Sequence, residues 1–114
     1  MAKTRVAVEF GMGTALRSED MTSACVRAVK DALWHNSLTV AQAFGKTVDD
    51  MIVDVELACQ DPDAVDTSKV AEVFPYGQIG ITATAGGLTI PKPDGGVTVV
   101  AHAAIIVFLD LEHR

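Results

Sequence analysis

The hydrophobic pattern of this chain switches between a period of two and a helical period, and the switches predict its elements. Arg5 to Phe10 alternates, with Val6, Val8 and Phe10 on one face and Arg5, Ala7 and Glu9 on the other, as expected of a strand with one core face. Gly11 and Gly13 are expected to end that strand in a turn, because glycine tolerates the positive φ a reversal often needs. Ser18-Glu19-Asp20 offers a cap and acidic first-turn residues for a helix from about Glu19 to His35. Met21, Thr22, Cys25, Val29, Ala32, Leu33 and Asn36 fall on one stripe of that helix, with Val26 at its edge. Its other face carries Lys30, Arg27 and Asp31, the last two at ion-pair spacing, and among them the chain's single tryptophan, Trp34.

Further along, Val40 to Phe44 reads as one helical turn closed by Gly45. Met51 to Cys59 alternates as a second strand, with Asp54 and Glu56 on its polar side. Asp61-Pro62-Asp63 marks a loop, and Asp66 caps a short helix to Phe74, with Val65 and Val70 spaced as a hydrophobic staple. Gln78 to Ala85 is a third strand with Ile79, Ile81, Ala83 and Ala85 inward. Gly86-Gly87 interrupts the chain, and the stiff turn Pro91 to Gly96 precedes a final strand, Val97 to Leu109, that is apolar on both faces. There is no internal repeat.

The predicted class is α+β, a two-layer β-α-β-α-β-β sandwich of one domain over residues 1–114. In two layers the helices cover one face of the sheet, so the outer face of the last strand calls for a second copy of the chain. Trp34, on the polar side of its helix, points to the same kind of contact.

Composition narrows the partners. The chain has 114 residues, 49% hydrophobic but only 5% aromatic, so small aliphatic side chains fill the core. Its net charge is −6, from 15 acidic and 9 basic residues, and no two Lys or Arg are adjacent. That balance argues against nucleic acid and against anionic membrane surfaces. The longest apolar run, Ala103 to Leu109, is too short to span a bilayer, and Met1 to Arg5 leads into a strand without a hydrophobic leader, so a cytoplasmic protein is expected. Cys25 and Cys59 read as buried free thiols, and no metal-ligand spacing or dinucleotide glycine pattern is present, so no metal or cofactor is called for.

The candidate chemistry is dispersed. Glu9 and His102 are the candidate acid–base residues, one beside the glycine pair and one in the apolar last strand. Gly11, Gly13, Arg27, His35, Asn36, Tyr76 and Lys92 are the candidate ligand contacts, by backbone amide, charge or hydrogen bond. The expected activity is binding of a small polar or anionic metabolite between subunits. An amide-hydrolysing or isomerising enzyme is the alternative, and a purely structural assembly unit is a third.

Three resemblances bear on this. The order of elements resembles the Bacillus chorismate mutase-like fold, whose small members commonly assemble as trimers with sites between subunits, and the ferredoxin-like order is its competitor. Glu9-Phe10-Gly11-Met12-Gly13, Arg27 to Ala32, His35-Asn36-Ser37-Leu38, Val73 to Gly77 and Gly86-Gly87-Leu88 together resemble a small family of uncharacterised bacterial and fungal proteins. Where that family's pattern has an acidic residue and a histidine before the helix, this chain has Ala15 and Arg17. More distantly, Ala85-Gly86-Gly87 is similar to the Ser-Gly-Gly of the ring-opening amidohydrolases that act on cyanuric acid and barbiturate. The serine is replaced here, so the resemblance implies no serine nucleophile.

Overall fold

In a computed structural model, residues 3–15, 20–34, 40–74 and 77–111 are described, without the side chains of Trp34 and Val40. The elements are β1 (Lys3–Ala15), α1 (Met21–Trp34), α2 (Val40–Ala43), β2 (Ile52–Cys59), α3 (Thr67–Ala71), β3 (Gln78–Ala85), β4 (Leu88–Pro91) and β5 (Val97–Asp110), with 3-10 turns at Val48–Asp50 and Pro62–Ala64. One sheet runs β1-β5-β2-β3, and β4 also pairs with β5. It is mixed: β5 is antiparallel to β1, β2 and β4, whereas β2 and β3 are parallel neighbours joined through α3. The parallel pair sets the fold apart from the ferredoxin-like alternative and agrees with the α+β sandwich.

β5 is the axis of the sheet. β1 lies along one side of it from Lys3↔Asp110 to Ala15↔Val99, while its other side is shared end to end by β2 and β4. The handover happens at Gly86-Gly87, where the Gly86 amide donates to the Cys59 carbonyl at 2.9 Å and the chain swings past the end of β2. Gly87 has φ +69, and a Cβ there would collide with the Val100 carbonyl. The Leu88-Thr89-Ile90 strand is the element the hydrophobic pattern does not announce.

The core lies between the sheet and α1. Val53, Val55, Leu57, Cys59, Val99, Ala101, Ile105, Val107 and Leu109 are buried against Ala24, Cys25, Ala28, Val29 and Ala32. Two helix ends are fastened by side chains. Asp20 caps α1 by accepting from the Thr22 amide (3.0 Å) and the Ser23 hydroxyl (2.8 Å), and the Ser23 hydroxyl above all holds its carboxyl below the usual range. Asp66 caps α3 through Ser68, and Thr22 ties the two helices together by accepting from the Asp66 amide at 2.8 Å. Asp66 is the cap the sequence proposes, whereas Asp20, expected in the first turn of a helix from about Glu19, instead caps one that begins at Met21.

β1 differs most from its sequence reading. It does not turn at Gly11 but runs straight on to Ala15. A Cβ at Gly11 would overlap the Ala28 carbonyl and the Ala32 amide, and one at Gly13 would overlap the Ala24 carbonyl and the Ala28 amide. These glycines let α1 lie directly on the strand, its alanines at 24, 28 and 32 filling the gap where side chains would otherwise stand. The face assignment also inverts. Phe10 is 70% exposed and Met12 54%, both on the side away from α1, and a register shift between Arg5 and Ala7 allows Val6 and Ala7 both to pack on the core.

Candidate functional site

The sheet face opposite the helices is uncovered by the described chain. Besides Phe10 and Met12 it exposes Leu88 (54%) and Ile90 (48%), which lie opposite Val100 and Thr98 of β5. The even positions of β5, Val100, Ala104, Ile106 and Phe108, are only half-buried there, whereas the odd positions 99 to 109 are buried under α1. At its far end Lys3 stands over the Phe108 ring at 4.5 Å and reaches Asp54 at 4.0 Å.

Near the middle of this face is a hollow of about 270 Å³ bordered by Phe10, Glu56, Ala58, Thr84, His102 and Ala104. Strand register explains the grouping. His102 stands opposite Met12 on one side and Ala58 on the other, and Glu56 stands opposite Ala104. Glu56 and His102 are therefore diagonal cross-strand neighbours on one face, with Cα atoms roughly 7 Å apart, a span that one water or one ligand atom bridges. Thr84 enters from β3, paired with Ala58, and donates its hydroxyl to the Leu57 carbonyl at 3.2 Å. An imidazole, a carboxylate and a hydroxyl thus share an apolar floor beside an exposed phenyl ring. Such a set can hydrogen-bond and stack a small polar molecule, and the imidazole and carboxylate can exchange a proton with it.

Of the sequence candidates, His102 is in this hollow and Glu9 is not. Glu9 pairs with Ile105, a core residue, so it lies on the helix side of the sheet and the two acid–base candidates are separated by the sheet itself. Gly11 and Gly13 lie beneath α1, which corrects their assignment as ligand contacts in a turn: the helix backbone occupies the space a ligand would need. Arg27 is exposed and donates to the Thr14 carbonyl at 2.6 Å, while Asp31, at ion-pair spacing from it, accepts from the Met12 amide at 3.0 Å. Both residues serve the free edge of β1. Arg27 also borders, with Lys30, Lys69 and Asp20, a shallow hollow of about 300 Å³ on the helix layer.

Lys92 sits in the β4–β5 turn, its amide donating to the Gly96 carbonyl. From Gly96 to His102 is roughly 20 Å of strand at ~3.3 Å per residue, so Lys92 does not join the hollow. His35, Asn36, Tyr76 and the Trp34 side chain lie outside the described residues. Among the described residues no group of His, Cys, Asp and Glu stands close enough to hold a metal ion, and no helix is long and apolar enough to cross a membrane. The residues of the hollow that sequence reasoning leaves out of the site are Thr84 and, more consequentially, Glu56. Its signal was present as the acidic side of an otherwise apolar strand, but only the β2–β5 register brings it beside His102.

Fold and site together define a one-sheet α+β domain with helices on one face and the His102 hollow on the other. The chain belongs to the Lin0512_fam family of conserved hypothetical proteins, whose model matches residues 5–107. No curated protein matches it. Among solved structures it is similar to an FtsZ-like protein of unknown function from Nostoc punctiforme, with 30% identity and a TM-score of 0.87 over 96% of this chain and 98% of that one.

Proposed function

We propose that the chain works as a homo-oligomer that holds a small polar ligand in the hollow around His102, Glu56 and Thr84, with a second copy supplying its lid. The observation that carries this reading is the grouping of those three polar groups with the exposed Phe10 ring, Ala58 and Ala104 in one hollow of a sheet face that no described residue covers, with the Lys3–Asp54 pair at its far end. Phe10, Met12, Leu88 and Ile90 are large apolar side chains left about half or more exposed on the same sheet face, flanking β5, the kind of surface soluble proteins usually bury against a partner. A second copy is the partner of choice because the same apolar surface is presented by every chain, and its polar rim of Lys3 and Asp54 already carries both signs of charge. Glu56 beside His102 favours a ligand with hydrogen-bond donors over the anionic metabolite that Arg27 and Lys92 suggested.

An acid–base enzyme of the amide-hydrolysing or isomerising kind is the second reading, supported by the diagonal Glu56–His102 pair. We place the protein in the cytosol, since Cys25 and Cys59 lie in contact as free thiols, as in a reducing compartment.

The test is thermal-shift screening of wild type and His102→Ala against a panel of small polar metabolites, together with sedimentation of Phe10→Glu. Concentration-dependent stabilisation lost in His102→Ala, and a lower assembly mass for Phe10→Glu, are the expected results. A wild type that sediments as a monomer and is stabilised by nothing in the panel overturns the reading.

A further inference from the structure

The two edges of the sheet are finished differently. On the β1 edge, the Met12 amide and the Thr14 carbonyl are occupied by Asp31 and Arg27, so a stretch of backbone that would accept another strand is closed by side chains. Among the described residues the β3 edge has no such closure. In the parallel ladder with β2, Gln78 donates to Met51 and Gly86 to Cys59, and the register between them assigns Gly80, Thr82 and Thr84 to the same series. The backbone N–H and C=O groups of Ile79, Ile81, Ala83 and Ala85 therefore point outward, and among the described residues nothing bonds to them. The strand reads Gln-Ile-Gly-Ile-Thr-Ala-Thr-Ala, without a charge, a proline or a bulge, the devices that ordinarily blunt an edge.

We propose that this edge pairs with the β3 edge of a second copy, antiparallel about a two-fold axis, joining two sheets into one of twice the width. Asp31 and Arg27, by occupying the Met12 amide and the Thr14 carbonyl, obstruct the head-to-tail alternative of β3 on β1, which would generate an open filament; an edge that pairs with its own copy makes a closed dimer. The lack of charge matters because a two-fold axis sets identical residues near one another, where like charges would repel.

One register uses all four outward residues: Thr82 faces Thr82 of the second copy, Ile81 faces Ala83, and Ile79 faces Ala85. The Ile–Ala pairs exchange both backbone hydrogen bonds, and Thr82 is left in the close, non-bonded position with Cα atoms about 4.5 Å apart. This pairing is independent of the lid proposed for the other sheet face, since it uses backbone at an edge rather than side chains on a surface.

Thr82→Cys tests it in the full chain. Its Cα separation falls within the range a disulfide spans, so mild oxidation with copper phenanthroline should convert most of the protein to a covalent dimer. Gln78→Cys, about 26 Å from its counterpart in this register at ~3.3 Å per residue, should stay uncrosslinked. Thr82→Lys should halve the assembly mass in sedimentation, and Phe10→Glu should leave the Thr82→Cys crosslink intact. Failure of Thr82→Cys to crosslink, crosslinking of Gln78→Cys to the same extent, or an unchanged mass for Thr82→Lys overturns the proposal.

Discussion

The Met12 backbone amide donates to the Asp31 carboxylate at 3.0 Å across a gap of nineteen residues, so a helix side chain does the work of a neighbouring strand. Arg27, one turn earlier, does the same for the Thr14 carbonyl. Asp31→Ala should lower stability by about 1–2 kcal/mol in urea unfolding, as expected when a charge-assisted hydrogen bond is removed. It should also raise the aggregation rate in light scattering, because the β1 edge is opened; an unchanged rate would show that the edge needs no such closure.

Gly13 has α1 backbone where its side chain would be. Gly13→Ala should force the helix off the strand and cost about 1–3 kcal/mol as overpacking, read as a lower midpoint in thermal unfolding. Gly95, around which a Cβ would meet open space but whose φ is +97, should respond to alanine through backbone strain alone and without loss of α1 packing by near-ultraviolet circular dichroism.

Two buried threonine hydroxyls predict opposite signs. Thr22 accepts from the Asp66 amide, so Thr22→Val strands that donor and should cost about 1–3 kcal/mol. The Thr89 hydroxyl is buried with no partner among the described residues, so Thr89→Val should stabilise the protein by about 1 kcal/mol. Chemical denaturation of both variants checks the contrast, which fails if they shift in the same direction.

Cys25 is buried beside Cys59, and burial first, then the neighbouring thiol, raise its pKa from 9.0 to about 12. A thiol whose folded pKa is raised holds its proton in the fold while the unfolded chain releases it, so its contribution is complete below about pH 9 and is lost as pH climbs toward 12. Unfolding midpoints should therefore fall across that interval in wild type and fall less in Cys25→Ala. Alkylation of Cys25 at neutral pH should proceed only at the rate of unfolding.

Much of this fold was legible in the residues. The alternation of Ile52 to Cys59, the Asp66 cap with its Val65–Val70 staple, and the two-sided apolar pattern of Val97 to Leu109 each correspond to a physical constraint that acts locally. β1 was misread for a nonlocal reason. Gly11 and Gly13 look like turn residues in isolation, and only the alanines at 24, 28 and 32, four apart on a helix, show that the missing side chains make room for another backbone. Alternation groups Phe10 with Val6, and the register shift between Arg5 and Ala7 breaks that period, so Val6 packs on the core while Phe10 faces the open side. The candidate site was half legible. His102 stands out as an imidazole in an apolar strand, but its partner Glu56 is forty-six positions away and is brought near by pairing register, which periodicity does not encode.

The long strand Val97–Asp110 is the neighbour shared by β1, β2 and β4, and it follows all of them in the chain. During synthesis the earlier ribbons must wait on the ribosome, with only β2 and β3 able to join, until that shared neighbour emerges. Most of the sheet therefore closes in one late, long-range step, which favours slow refolding and gives chaperones a window in which Phe10, Met12 and the β-rich segments are still within their reach.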